Sequence, residues 1–410
     1  MTTTKTASTK PARRATIIGG SIAGLSCGLA LQNSGWDVRI FEATEGALAQ
    51  RGAGIITHQS LFDALLQFGI EVKQDIGVPI QIRKTFNKNG DVAETLKLPQ
   101  IATSWGRMYQ LLRNKFPDDH YFQNKTLKYC QQHEHSVDAV FTDESCHSAD
   151  LLIAADGIRS TIRNQLEPDA KPQYAGYVAW RGLIEERDMS TEEQREILPY
   201  FTFCLPEGEQ VLTYPITGKQ NDNSIGKRRC NVVWYRPASA ATLNELLTDI
   251  DGNNNGQSIA PDKVRPEIVQ KMRNDAVSML SPQHCGLIQR LDQPFIQPIY
   301  DLTTTSMVHG RVVIVGDAAF TARPHLAAGI TKATQDALEL ARILEGTADI
   351  LDAVTRFKEK RTIAGHKFVN QARELGAYLQ AQLINDDERH FAQMHRTTTA
   401  VMRETAVLSD

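Results

Sequence analysis

Residues 15–42, ATIIGGSIAGLSCGLALQNSGWDVRIFE, leave the N-terminal part of this chain few ways to fold. Residues 15–18 are a short apolar run stopped by two glycines, the pattern of a buried strand. Residues 19–24 read as a tight turn and residues 23–33 as a helix with small residues on its inner face. Residues 38–41 read as a second strand that ends in Glu42.

Each part has a physical use in holding a dinucleotide. Gly19 permits the turn out of the strand, and Gly24 lets helix and sheet approach closely. The helix N-terminus offers free N–H groups and a positive dipole end to a pyrophosphate. Glu42 stands twenty-three residues after Gly19, where a carboxylate can accept both hydroxyls of an adenosine ribose. Ser21 occupies the place of the second glycine of such a turn, where its small side chain permits close approach and its hydroxyl can donate to a phosphate. Gly19, Gly20, Ser21, Ala23, Gly24 and Glu42 are therefore candidate cofactor contacts. Arg13-Arg14 before an apolar run could open a targeting peptide, but Gly-Gly-Ser breaks the run and a charged strand follows at once.

With 410 residues the chain exceeds one ordinary core, and two domains are expected. A net charge of −3 gives no electrostatic reason to expect nucleic acid or an acidic membrane as partner. Lys227-Arg228-Arg229 is the one compact basic run and reads as a solvated loop. No uninterrupted apolar stretch is long enough to span a bilayer. Six cysteines scattered without close pairs or metal spacing suggest reduced thiols, a cytoplasmic setting and no metal site. Residues 1–14, rich in Thr and Lys, read as a disordered tail.

Further along, Arg51 beside Gly52 and Gly54 can lean over a phosphate or a flavin, or be a surface arginine. Alternation over residues 78–98, with Asn89-Gly90 as a hairpin turn, predicts a strand pair of a second domain. Arg107 opens a helix over residues 107–116, free to face a cofactor or to make a structural ion pair. Residues 150–155 form a buried strand that ends in Asp156-Gly157. Residues 176–279 are rich in strand signals and predict a sheet that covers the cofactor. The strand-turn-helix pattern returns at residues 311–315, Gly316-Asp317 and residues 329–344, and the remainder is helical by periodicity.

Three motifs now stand in order: the turn of residues 19–24 with Glu42; Asp156-Gly157 with Ser160 and Arg163; and Gly316-Asp317-Ala318-Ala319 with Pro324. Across residues 14–345 the set resembles the single-component FAD-dependent aromatic hydroxylases, the p-hydroxybenzoate hydroxylase class. The resemblance implies an α/β protein. A Rossmann-like FAD-binding domain of the glutathione-reductase type would take residues 15–77, 101–175 and 280–345. A mixed β-sheet substrate domain would take residues 78–100 and 176–279, with C-terminal helices over residues 346–410. It also implies FAD as cofactor, NADH or NADPH and O2 as co-substrates, a small aromatic substrate and a homodimer. Asp156 and Gly157 would touch FAD and the passing nicotinamide, and Asp317 would accept a ribityl hydroxyl. Pro324 and Gly329 would border the isoalloxazine ring. His325-Leu326 and Thr331 depart from the family, which has a glycine and an asparagine there. No second glycine turn is present, which fits a nicotinamide cofactor that binds only briefly.

The phrases of residues 38–42, 175–182, 307–319 and 322–329 look most like family members that act on hydroxylated N-heteroaromatic rings of the hydroxypyridine type. The reaction implied is reduction of FAD by NAD(P)H, then transfer of an electrophilic hydroxyl from a flavin hydroperoxide to an electron-rich ring. A base near the ring hydroxyl would help, because the deprotonated ring is more nucleophilic. His325 is the leading candidate by position and by its ordinary pKa, with a hydrogen-bonded spacer as the other reading. Tyr214 could lie over the ring or simply pack in the sheet. Arg181 and His58 are weaker candidates for holding an anionic substrate, and Trp180 and Trp234 read as packing. Hydroxylation with loss of a ring substituent remains open. A flavin-binding sensor is the non-enzyme alternative. A halogenase is disfavoured because the chain carries no Trp-x-Trp-x-Ile-Pro signature.

Overall fold

The computed structural model describes residues 12–46, 54–71, 76–254 and 256–408. The expected tail is therefore described only from residue 12, and Arg51 lies outside the described residues.

The glycine-turn unit sits in a six-stranded sheet. Arg14–Ile18 is central, flanked in parallel by Leu151–Ala154 and by Asp37–Phe41, with Ile17 opposite Ile153 and Ile40. Val312–Ile314 and Tyr121–Phe122 extend the sheet in parallel on either side, and Val308–His309 closes one edge antiparallel. These strands are short, and the central ones are largely apolar, Leu151–Ala154 and Val312–Ile314 entirely so, because helices cover them. Ile22–Asn33 and Gly329–Glu345 pack together on the sheet, and Gly28 leaves room for Phe116. The 27-residue helix Ile350–Gly376 packs on Gly329–Glu345 and buries Phe357 and Val369.

The second sheet has nine strands, mostly antiparallel, in the spatial order Phe320–Thr321, Phe295–Thr303, Gln173–Glu185, Arg229–Pro237, Gln210–Ile216, Phe201–Cys204, Val78–Phe86, Val92–Ser104 and Gly54–Ile56. Its two faces follow from strand alternation. Val178, Trp180, Val232 and Trp234 point to one face, against the helices Pro266–Met279 and Pro282–Arg290. Tyr177, Ala179, Val233 and Tyr235 point to the other, with Leu212, Tyr214 and Phe201. That second face looks toward the glycine-turn unit, and a cleft runs between them.

The sheet is larger than its sequence signals. Phe295–Thr303 pairs with Gln173–Glu185, so part of residues 280–345, expected in the cofactor domain, lies in this sheet. Gly54–Ile56 also joins it, through Ser104. Conversely, the strand-rich block of residues 176–279 carries the helices Ala240–Leu247 and Pro266–Met279. Pro266 at the first turn and the spacing of Ile268, Met272 and Ala276 make the latter helical and one-sided. Among the described residues, no helix is long and apolar enough to cross a membrane.

Candidate functional site

The cleft has a volume of about 1020 Å³ and reaches from Glu42 to Tyr214. At one end stands the glycine turn. Gly19 has φ of +101°, and a Cβ there would lie 2.3 Å from the Ala155 carbonyl oxygen. A Cβ on Gly24 would lie 1.9 Å from the Gly19 carbonyl oxygen. Neither position can carry a side chain without moving backbone. The Gly20 N–H donates to Glu42 Oε2 at 2.7 Å, and Glu42 Oε1 accepts from the Thr44 N–H at 2.8 Å. The Tyr121 hydroxyl donates to the Gly20 carbonyl at 2.9 Å. Gly20 and Gly24 thus shape the turn, while Gly19, Ser21, Ala23 and Glu42 face the cleft. Ser21 caps the helix with extended backbone and makes no side-chain cap bond, so its hydroxyl is available to a ligand.

Two acidic strand ends border the middle of the cleft, Asp156 and Asp317. Asp156 Oδ2 accepts from the Thr161 N–H at 2.8 Å, whereas its Oδ1 is buried with no partner. Burial raises the Asp156 pKa against these hydrogen bonds. Gly157 follows at φ +75°, with open space where a side chain would stand. Asp317 opens onto the cleft while protein surrounds it elsewhere. That enclosure raises its pKa, and Lys332 acts in the opposite sense. Buried Arg163 ties the two strand ends together: Nη1 donates to the Ala318 carbonyl at 3.0 Å and Nη2 to the Ile158 carbonyl at 2.7 Å. Ser160 caps the short helix by accepting from the Arg163 N–H. Gly329 also lines the cleft and has open space at its Cβ position. Arg107 does not line it; its N–H donates to Ser104, and its Nε is buried.

The far end is the inner face of the nine-stranded sheet. Arg181, Tyr214 and Tyr235 all line the cleft there, with Phe201 and Leu212. Arg181 Nη1 donates to Gln297 Oε1 at 2.7 Å, its Nε is buried without a partner, and no carboxylate among the described residues pairs with it. Among the described residues the hydroxyls of Tyr214 and Tyr235 make no hydrogen bond. Burial raises both phenol pKa values, that of Tyr235 to about 12, against the nearby Arg181 charge.

Pro324 and His325 also border the cleft. His325 Nε2 lies 2.7 Å from the Tyr177 hydroxyl, and its ring packs against Tyr177 and Tyr235. Burial and the Arg323 charge lower the His325 pKa to about 3. His58 lies off the cleft, with Nδ1 3.4 Å from Thr331 Oγ1 and a buried Nε2 that has no partner. Of the residues that sequence reasoning did not single out, Tyr235 was reachable: it alternates in phase with Val233, which pairs with Arg181. The Tyr177 contact to His325 spans 148 positions and leaves no local signal.

The residues fit an FAD molecule on two counts. A glycine turn that excludes side chains meets the N-terminus of a 12-residue helix at the cleft, and the two acidic strand ends, Asp156 and Asp317, line the same cavity. Fold and site together define a flavoprotein.

A family model described as FAD binding domain-like matches residues 174–301. The chain is 31% identical over 373 residues to the 2,6-dihydroxypyridine 3-monooxygenase of Paenarthrobacter nicotinovorans, covering 90% of this chain and 91% of that protein. The solved 2,6-dihydroxypyridine-3-hydroxylase from Arthrobacter nicotinovorans superposes with a TM-score of 0.84 at 30% identity, covering 93% of this chain and 96% of that one. Klebsiella pneumoniae HpxO, solved with FAD and uric acid, shares the fold with a TM-score of 0.74 at 23% identity, covering 94% and 92%. The chain belongs to the FAD-dependent monooxygenases that act on aromatic rings.

Proposed function

We propose that this enzyme hydroxylates a small hydroxylated N-heteroaromatic ring of the hydroxypyridine type, with 2,6-dihydroxypyridine as the first candidate. The single observation that carries this reading is the far end of the cleft. An arginine with no carboxylate partner among the described residues lines it together with two tyrosines whose hydroxyls are unbonded there, on a largely apolar face. Such a pocket suits a flat ring with several polar edges and partial negative charge. Arg181 orients the anionic edge, and Tyr214 and Tyr235 donate to ring oxygens or nitrogen.

FAD, when bound, supplies the redox chemistry that activates O2 at the expense of NADH or NADPH. Toward it, Gly19, Ser21 and Ala23 with the helix N-terminus take the pyrophosphate, and Glu42 takes the adenosine ribose. Asp156, Gly157 and Asp317 take the middle of the molecule, and Pro324 and Gly329 border the ring system. His325 acts as a neutral spacer rather than as the base, a reading supported by its low pKa and by the Tyr177 hydroxyl on Nε2. The proton of the ring hydroxyl is then lost before binding, and the Arg181 charge favours the anion. Loss of a ring substituent during hydroxylation is the second chemical outcome, open because the pocket end does not distinguish hydrogen from another leaving group.

A homodimer is proposed from the family resemblance and a cytoplasmic setting from six unpaired cysteines. The direct test is NAD(P)H oxidation by the purified protein with and without 2,6-dihydroxypyridine, with the product identified by mass. Ring-stimulated oxidation and a gain of one oxygen support the reading. Indifference to this ring and to other hydroxypyridines defeats it.

A further inference from the structure

We propose that Arg83 determines ring specificity by fastening residues 402–406 as the wall that closes the aromatic end of the cleft, which limits the size of ring admitted. The inference rests on the ring-hydroxylase reading.

Thr405 and Ala406, almost the last described residues, line the cleft beside Phe201 and Tyr214. They are held there from the sheet. Arg83, on the strand Val78–Phe86, is fully buried and has no carboxylate partner among the described residues. Its Nη1 donates to the carbonyls of Met402 at 2.6 Å and Thr405 at 2.7 Å. The Met402 carbonyl lies in the last turn of the helix Thr398–Glu404 and the Thr405 carbonyl at its C-cap, where the helix has no N–H groups left to offer and carries its negative dipole end. Nη2 donates to Gln100 Oε1, and Gln100 Nε2 donates in turn to the Ala406 carbonyl at 2.7 Å. The Ala406 N–H donates to the His325 carbonyl at 2.6 Å, which seats the segment on the flavin-side loop. Ala406 holds φ of +57°, a left-handed conformation that these bonds on both sides maintain. The guanidinium also stacks on Phe201, 4.7 Å from its centroid, so one buried cation supports two adjacent pieces of the wall.

An apolar side chain would fill this position at lower cost than an ion whose Nε has no partner. What the charge provides is a grip on carbonyls that arrive from 319 positions away. Without that grip the carbonyl end of the helix loses its buried cation, and residues 402–406 keep only the Gln100 and His325 bonds beside the apolar packing of Met402 and Ala406, so the end of the cleft can open.

The test uses full-length Arg83→Met, Arg83→Lys and Gln100→Leu, with 2,6-dihydroxypyridine and a dihydroxyquinoline as probes. In Arg83→Met and Gln100→Leu the kcat/KM ratio of the two-ring to the one-ring probe rises about tenfold or more, while FAD affinity stays at the wild-type value. Arg83→Lys keeps the charge but not the fork that reaches both Met402 and Gln100, so its ratio falls between those of wild type and Arg83→Met. Hydrogen exchange at the Ala406 amide, which needs no substrate, becomes about a hundredfold faster in the first two variants. An unchanged ratio, or unchanged Ala406 exchange, in folded Arg83→Met overturns the proposal; if Arg83→Met fails to bind FAD, Gln100→Leu decides by the same two criteria. Inactivity of the wild type on both rings and on other hydroxypyridines overturns the ring-hydroxylase reading, and the size limit with it. Ala406 exchange still shows separately whether Arg83 fastens the wall.

Discussion

The Tyr177 hydroxyl and His325 Nε2 stand 2.7 Å apart, both buried, one from the nine-stranded sheet and the other from the loop after Asp317. The bond joins the two halves of the cleft and fixes a neutral imidazole. The folded protein holds the His325 pKa at about 3, below the ordinary 6.5 of the unfolded chain. Between those values the unfolded chain takes a proton that the folded one refuses, so the stability due to the neutral ring is present above 6.5 and lost as pH falls toward 3. Wild type should therefore lose stability relative to His325→Gln by up to about 1.4 kcal/mol per pH unit in that window. Urea denaturation at pH 7, 5 and 4 measures it, and parallel curves for the two proteins would refute the assignment.

Gly24 has no space for a methyl group. Gly24→Ala forces the helix Ile22–Asn33 off the Gly19 carbonyl and should cost about 2 kcal/mol or more. The same shift widens the turn at the pyrophosphate site, so flavin should be lost on gel filtration. Retention of both the melting temperature and the yellow colour would contradict the close approach.

Arg163 makes buried hydrogen bonds to the carbonyls of Ile158 and Ala318. Arg163→Met leaves those carbonyls unpaired and should destabilise the fold by about 3 kcal/mol. Because it uncouples the turns of Asp156 and Asp317, flavin affinity should fall further than the loss of stability alone explains. Equilibrium dialysis under conditions where the variant is fully folded separates the two effects.

Tyr214→Phe and Tyr235→Phe keep the packing and remove one donor each. Each should raise KM for the ring about tenfold and leave FAD affinity alone. Fluorescence titration of the apoprotein with FAD checks the second half. A parallel loss of flavin would place these tyrosines at the cofactor instead.

The glycine turn was legible because its constraints are local: Gly19 and Gly24 are glycines for want of space within a few residues of themselves. The acidic strand ends were legible as the stops of apolar runs, while their place at a cofactor came from the family resemblance. Contacts across the cleft were not, since Tyr177 and His325, or Arg83 and Met402, are brought together only by the packing of whole layers. The direction of Arg181 lay between these cases: it follows from strand alternation once Tyr177 and Ala179 are known to face inward. Helix Pro266–Met279 lies inside a strand-rich block whose neighbours mask its signal, although Pro266 and the spacing of its apolar residues carry it.

The central claim is that this cleft carries FAD and places an oxygen atom on a hydroxylated ring. A single turnover of the NAD(P)H-reduced protein in 18O2, with 2,6-dihydroxypyridine and mass analysis of the product, tests it most directly. The account predicts a flavin-containing protein and a product heavier than the substrate by one atom of 18O. A protein without FAD, or a ring recovered without label, would contradict it.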